Sequence, residues 1–110
     1  MTKLKTSQSE MKTFSPIVLG VGYCELQYLL KYESPIAYAT KQHGWACDLY
    51  MINDRYSIVT GYSYSHACNK QLTSEQREEL QAIEKSCFDN RPDRQTRKEL
   101  LISFLEKHFN

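Results

Sequence analysis

Residues 36–62 read IAYATKQHGWACDLYMINDRYSIVTGY, and this stretch decides the fold. Three runs rich in β-branched and aromatic residues are separated by short turn sequences. Ile36 to Thr40 is the first strand. Lys41-Gln42-His43-Gly44 is a four-residue turn with a glycine. Trp45 to Ile52 is the second strand, with Cys47, Leu49 and Met51 alternating against Asp48 and Tyr50. Asn53-Asp54 is a short turn of the kind hairpins favour. Arg55 to Tyr62 is the third strand. Consecutive strands joined by short turns predict an antiparallel meander.

Working outward, residues 1–13 are polar and aperiodic and read as a flexible tail. Ile17, Val18, Leu19 and Val21, broken by Pro16, Gly20 and Gly22, form a short strand or extended entry segment. Cys24 to Lys31 places Leu26, Leu29 and Leu30 on one face of a short helix. Glu33-Ser34-Pro35 ends it, because the residue before proline is pushed out of the α region. Downstream, Ser65 to Gln71 reads as a short helix. Thr73-Ser74-Glu75-Gln76 is a capping box that starts a longer one, running to about Phe88 and burying Leu80, Ile83 and Cys87. Asn90-Arg91-Pro92-Asp93 leads into a last helix, with the proline expected in its first turn. There Leu100, Leu101, Phe104 and Leu105 make an apolar stripe. The expected fold is α+β: a three- to four-stranded antiparallel meander packed against C-terminal helices, forming one domain over residues 14–110.

Composition restricts the function classes. The chain has 110 residues, 41% hydrophobic and 25% charged, with a net charge of +1. No global field exists to draw in nucleic acid or anionic lipid. The start, Met-Thr-Lys-Leu-Lys-Thr, lacks an apolar core for a secretory signal, and no apolar run approaches the ~20 residues of a membrane span. A cytoplasmic protein with reduced cysteines is expected, with no membrane association.

Candidate chemistry is sparse. His43, Cys47, His66 and Cys68 would make a Cys2His2 zinc set if they met in space, but the spacing is not that of paired ligands. Two core cysteines and two surface histidines are the simpler reading, so no metal or other cofactor is expected. A nucleophilic cysteine could pair Cys47 with His43 or Cys68 with His66, but residues two apart in a helix do not face each other, which counts against the second, and inert buried thiols are the simpler reading of both. No catalytic group is singled out, and a non-enzymatic protein is expected. Two binding readings remain. Eight tyrosines and one tryptophan supply interface anchors, and Tyr50, Tyr56, Tyr62 and Tyr64 cluster around the third strand. With the carboxylates of Glu75, Glu78 and Glu79 they outline a protein-docking face. The alternative is nucleic-acid binding by Arg91, Arg94, Arg97 and Lys98, which recur at helical spacing.

Gly22-Tyr23-Cys24-Glu25-Leu26-Gln27-Tyr28-Leu29-Leu30, Ser34-Pro35-Ile36-Ala37-Tyr38, Gly44-Trp45 and Ile58-Val59-Thr60-Gly61-Tyr62 carry a resemblance. Over about residues 20–65 the chain resembles a family of small uncharacterised proteins of gut bacteria, phages and mobile elements. Those share a Leu-rich short helix, a Ser/Thr-Pro-Ile/Val-Ala strand, a Gly-Trp strand and a Ser-Thr-Gly-Tyr close. After Tyr62 this chain departs, with Ser63-Tyr64 where the family has a basic, proline-containing run. The resemblance implies a setting rather than an activity. In that setting the expected role is binding and masking a host protein complex, with inhibition of a CRISPR-type defence effector as one form. The Glu75–Glu84 carboxylates would then stand in for phosphates in a nuclease's basic channel.

Overall fold

The computed structural model describes residues 15–22, 24–39, 46–61 and 67–110. The expected tail at 1–13, the turn at 41–44, Trp45, His43, Tyr62, Tyr64 and His66 lie outside the described residues.

Five strands and two long helices make up the described chain: β1 (Ile17–Val21), β2 (Ile36–Ala39), β3 (Ala46–Met51), β4 (Tyr56–Thr60), β5 (Lys70–Gln71), α1 (Ser74–Asn90) and α2 (Arg94–Phe109). The class is α+β. The sheet order is β2-β3-β4-β1-β5. β2, β3 and β4 form the expected antiparallel run, with Leu49 opposite Ile36 on one side and Val59 on the other. The rest of the sheet corrects the meander: β1 pairs parallel with both β4 and β5, so the sheet is mixed. The physical reason lies in the composition of β1. Leu19 and Val21 enter the core beneath the helices, while Val18 packs into a second core on the other face. A strand buried on both faces belongs in the middle of a sheet, next to parallel neighbours.

Two other expectations are corrected. The short helix expected over Ser65 to Gln71 gives way to β5 at Lys70–Gln71. Asn69 forces this: its backbone N–H donates to the Val18 carbonyl (2.9 Å), and its side chain accepts from Val18 N–H (2.9 Å) and donates to the Pro16 carbonyl (2.8 Å). Those bonds lay the chain alongside β1. Residues 24–32 are a run of turns rather than a helix. Leu30 N–H does reach the Leu26 carbonyl with α spacing (2.9 Å). The N–H groups of Tyr28 and Leu29 instead donate to the carboxylate of Glu84 in α1, at 2.7 and 2.9 Å, which takes them out of a helical ladder. Leu26, Leu29 and Leu30 are nonetheless buried, as their spacing predicts.

The hairpin turn at Asn53 is closed by its own side chain, whose oxygen accepts from the N–H groups of Arg55 (2.9 Å) and Tyr56 (3.0 Å). α1 begins with the expected capping box: Thr73 accepts from Gln76 N–H (3.1 Å) while the Gln76 side chain accepts from Thr73 N–H (2.9 Å). α2 starts on Asp93, which accepts from Thr96 N–H (2.8 Å); Pro92 therefore precedes the cap and does not enter the first turn. Both helices lie on the sheet face of Tyr56 and Ile58, and bury Leu80, Cys87, Leu101, Phe104 and Leu105 against it. The opposite face carries the smaller cluster of Val18, Cys47, Leu49, Val59, Ala67 and Cys68.

Candidate functional site

Charged side chains hold the 24–33 segment to the helices. Tyr28 is clamped through both of its backbone polar groups: its N–H goes to Glu84 of α1 and its carbonyl accepts from the guanidinium of Arg97 in α2. Arg97 also donates to the Pro92 carbonyl (2.7 Å), and its guanidinium lies 5.1 Å from the centre of the Tyr32 ring. Arg77 of α1 pairs with Glu25, and Arg94 of α2 grips both oxygens of Glu33, at 2.9 and 3.1 Å. The Arg94 guanidinium holds the Glu33 carboxyl below the usual carboxylate range. At the far end of the helices, Glu79 accepts from Lys107 (3.1 Å) and contacts the His108 ring (3.0 Å), and these two lower its pKa.

Glu84 goes the other way. Burial pushes its carboxyl above the ordinary glutamate range, against the opposing pull of the Tyr28 and Leu29 N–H groups and the positive charge of Arg97. A raised carboxyl pKa means that the folded state holds its proton more tightly than the unfolded state. The stability tied to it is complete below the unfolded pKa, about 4.3, and is lost as pH rises through the folded value. Wild type is therefore expected to lose stability relative to Glu84→Gln as pH climbs from about 4 toward neutrality. Thermal unfolding of both proteins at stepped pH checks this; a constant difference between them would contradict it.

These contacts redistribute the expected site residues. Tyr56 is 1% exposed and sits in the core with its hydroxyl unpartnered, so it cannot meet a partner. Tyr50 is half-buried on the helical face of β3. Glu75 and Glu78 are exposed on α1, whereas Glu79 is engaged by Lys107 and His108. Tyr62 and Tyr64 are outside the described residues. The basic set is also broken up. Arg97 is 3% exposed with its Nε and Nη1 donating to backbone carbonyls, and Arg94 is committed to Glu33. Arg91 is exposed at the C-cap of α1 in the left-handed region (φ 49°), and Lys98 is half-buried. The four do not form one solvated face.

None of the four cysteines is in a disulfide. Cys47, Cys68 and Cys87 are buried, and burial raises the thiols of Cys68 and Cys87, which opposes thiolate formation. Among the described residues, no three His, Cys, Asp or Glu side chains gather as a metal-ligand set. No helix of the described residues is long and apolar enough to cross a membrane.

Two surface concavities are formed by described residues. One, of about 410 Å³, lies between α1 and the first turn of the 24–33 segment, lined by Cys24, Tyr28 and Phe88 with Glu25, Gln81 and Lys85 around them and Glu84 beneath. Phe88 is 51% exposed and packs its ring 4.9 Å from that of Tyr28. Phe88 was read in sequence only as the end of a helix. The other concavity, of about 330 Å³, opens between the 24–33 segment and the ends of β3 and β4. Comparison with known proteins adds nothing to this geometry: no protein-family model, curated protein or solved structure matches the chain.

Proposed function

We propose that this chain acts by occupancy, binding a protein partner through the α1 groove rather than transforming a substrate. The observation that carries the reading is Phe88. A large aromatic ring half open to solvent, packed at a tilt against a second ring and ringed by Glu25, Gln81 and Lys85, has the anatomy of an interface anchor with a polar rim. Glu78 and Glu75, exposed about three and three and a half turns earlier on the same helix, add negative charge to it. A partner with an apolar pocket flanked by basic residues is the complement. The resemblance described above favours a host protein complex in that role, defence effectors with basic nucleic-acid channels included. Relative to the expected docking face, the surface moves from the third strand to α1, because Tyr56 is spent in the core.

The test is co-purification of the tagged full chain with host defence complexes from a producing strain, repeated with Phe88→Ala and with Glu75→Lys/Glu78→Lys. Phe88→Ala is expected to reduce recovery about tenfold or more at an unchanged melting temperature. The charge reversal is expected to weaken recovery most at low salt. Recovery indifferent to both, or tight DNA binding in place of protein binding, rejects the reading.

A further inference from the structure

Met51 ends β3 and stands directly opposite Ser57 of β4, beside the Asn53 turn. The alternation of the strands puts both on the face away from the helices, with Leu49 and Val59. Ser57 is 1% exposed and Ser15, just ahead of β1, is fully buried, whereas Met51 is 37% exposed. The two serine hydroxyls lie 2.5 Å apart, and the Met51 sulfur is 3.2 Å from Ser57 Oγ and 3.9 Å from Ser15 Oγ. Each hydroxyl has one proton to donate. Whichever serine donates to the other, the remaining proton is directed at the sulfur. A thioether is a weak acceptor, so a buried hydroxyl spent on one stabilises the fold little. What the contact does fix is the orientation of the sulfur.

That orientation has a chemical consequence. A thioether sulfur carries two lone pairs, and oxygen added to one or the other gives opposite sulfoxide epimers. An unrestrained methionine rotates about three bonds and offers both. At Met51 the serine proton occupies one lone pair from the buried side and leaves the other toward solvent. We propose that Met51 is a reversible oxidation site for hydroperoxides, attacked on the outward lone pair, so that the folded chain yields predominantly one sulfoxide epimer.

In that step the sulfur lone pair attacks one peroxide oxygen and the O–O bond breaks, its electron pair leaving with the second oxygen. The proton of the transferred hydroxyl passes to the leaving oxygen, which departs as water from hydrogen peroxide or as an alcohol from an alkyl hydroperoxide. Sulfur loses two electrons and the peroxide gains them. The sulfoxide oxygen then projects from the end of β3 as a strong new acceptor, and one of the two epimer-specific methionine sulfoxide reductases restores the thioether. The site lies on the sheet face away from the helices, so it stands whether or not the Phe88 groove docks a protein.

Limited oxidation of the full chain with hydrogen peroxide, followed by peptide mapping and treatment of the Met51 peptide with each reductase, tests it. The folded chain is expected to favour one Met51 epimer by about threefold or more, as the net worth of one hydrogen bond implies, and the urea-unfolded chain to give about equal amounts. Ser57→Ala is expected to lower the folded ratio about twofold or more. If Ser57→Ala does not fold, Ser57→Thr decides instead: it keeps the hydroxyl, so a retained bias supports the site and equal epimers overturn it. No Met51 sulfoxide in the folded chain at a dose that forms it in urea, equal epimers in the folded chain, or a bias unchanged by Ser57→Ala also overturns it.

Discussion

Arg97→Ala is expected to destabilise the protein by about 3–5 kcal/mol, the range found when one member of a buried charged arrangement is removed. The side chain is 3% exposed, so its loss leaves a void as well as a missing charge. The Tyr28 and Pro92 carbonyls lose their guanidinium donors. Glu84, already disfavoured in its ionised form by burial, loses the nearby positive charge that offsets it. Arg97→Lys is expected to recover only part of the loss. An ammonium is a point charge and cannot reproduce the planar fork that reaches two carbonyls while lying over the Tyr32 ring. Denaturant unfolding monitored by circular dichroism checks both substitutions. A loss of under 1 kcal/mol for Arg97→Ala would mean that the side chain works at the surface after all, and would restore the basic helix face as a nucleic-acid candidate.

Phe104→Ala is expected to cost about 3–5 kcal/mol through the cavity it leaves. Phe104 is buried in the main core and also packs its ring 4.7 Å from that of His108. The effect should spread to the last turn of α2, because His108 and Lys107 both contact Glu79 of α1 and His108 rests against Phe104. The contrast with Phe88→Ala is the informative part. Both remove a phenyl ring from a helix, but Phe88 is half open to water and its loss should leave stability nearly unchanged. Equal destabilisation by the two, read from the same unfolding curves, would make Phe88 a core residue and remove it as a docking anchor.

Much of the fold was legible because local chemistry and tertiary structure agree. The capping box at Thr73 and Gln76, the Asn53 turn and the apolar spacing of Leu101, Phe104 and Leu105 act over a few residues, and the structure uses them as the pattern implies. Legibility failed where a side chain from far along the chain intervened. Glu84, more than fifty residues away, takes the N–H groups a helix at 24–32 would have needed. The signal for it was nonetheless present. Glu84 lies four residues after Leu80 and three before Cys87, on α1's buried stripe, and Arg97 lies four before Leu101 and seven before Phe104 on that of α2. An acid and a base each set into an apolar stripe mark an internal polar contact, not a solvated face. Tyr56 shows the converse, a residue read as a docking anchor that its strand turns inward.

By itself, the order of residues determined the types of β1 to β4, α1 and α2 and the antiparallel pairing of β2, β3 and β4, since periodicity, caps and tight turns are short-range properties of the chain. Which strand became the neighbour of β4 and which charges went inside were decided only in three dimensions. Those outcomes depend on burying both faces of β1 at once and on matching buried charges across segments 50 to 70 residues apart. No window of local sequence contains both halves of such a pairing.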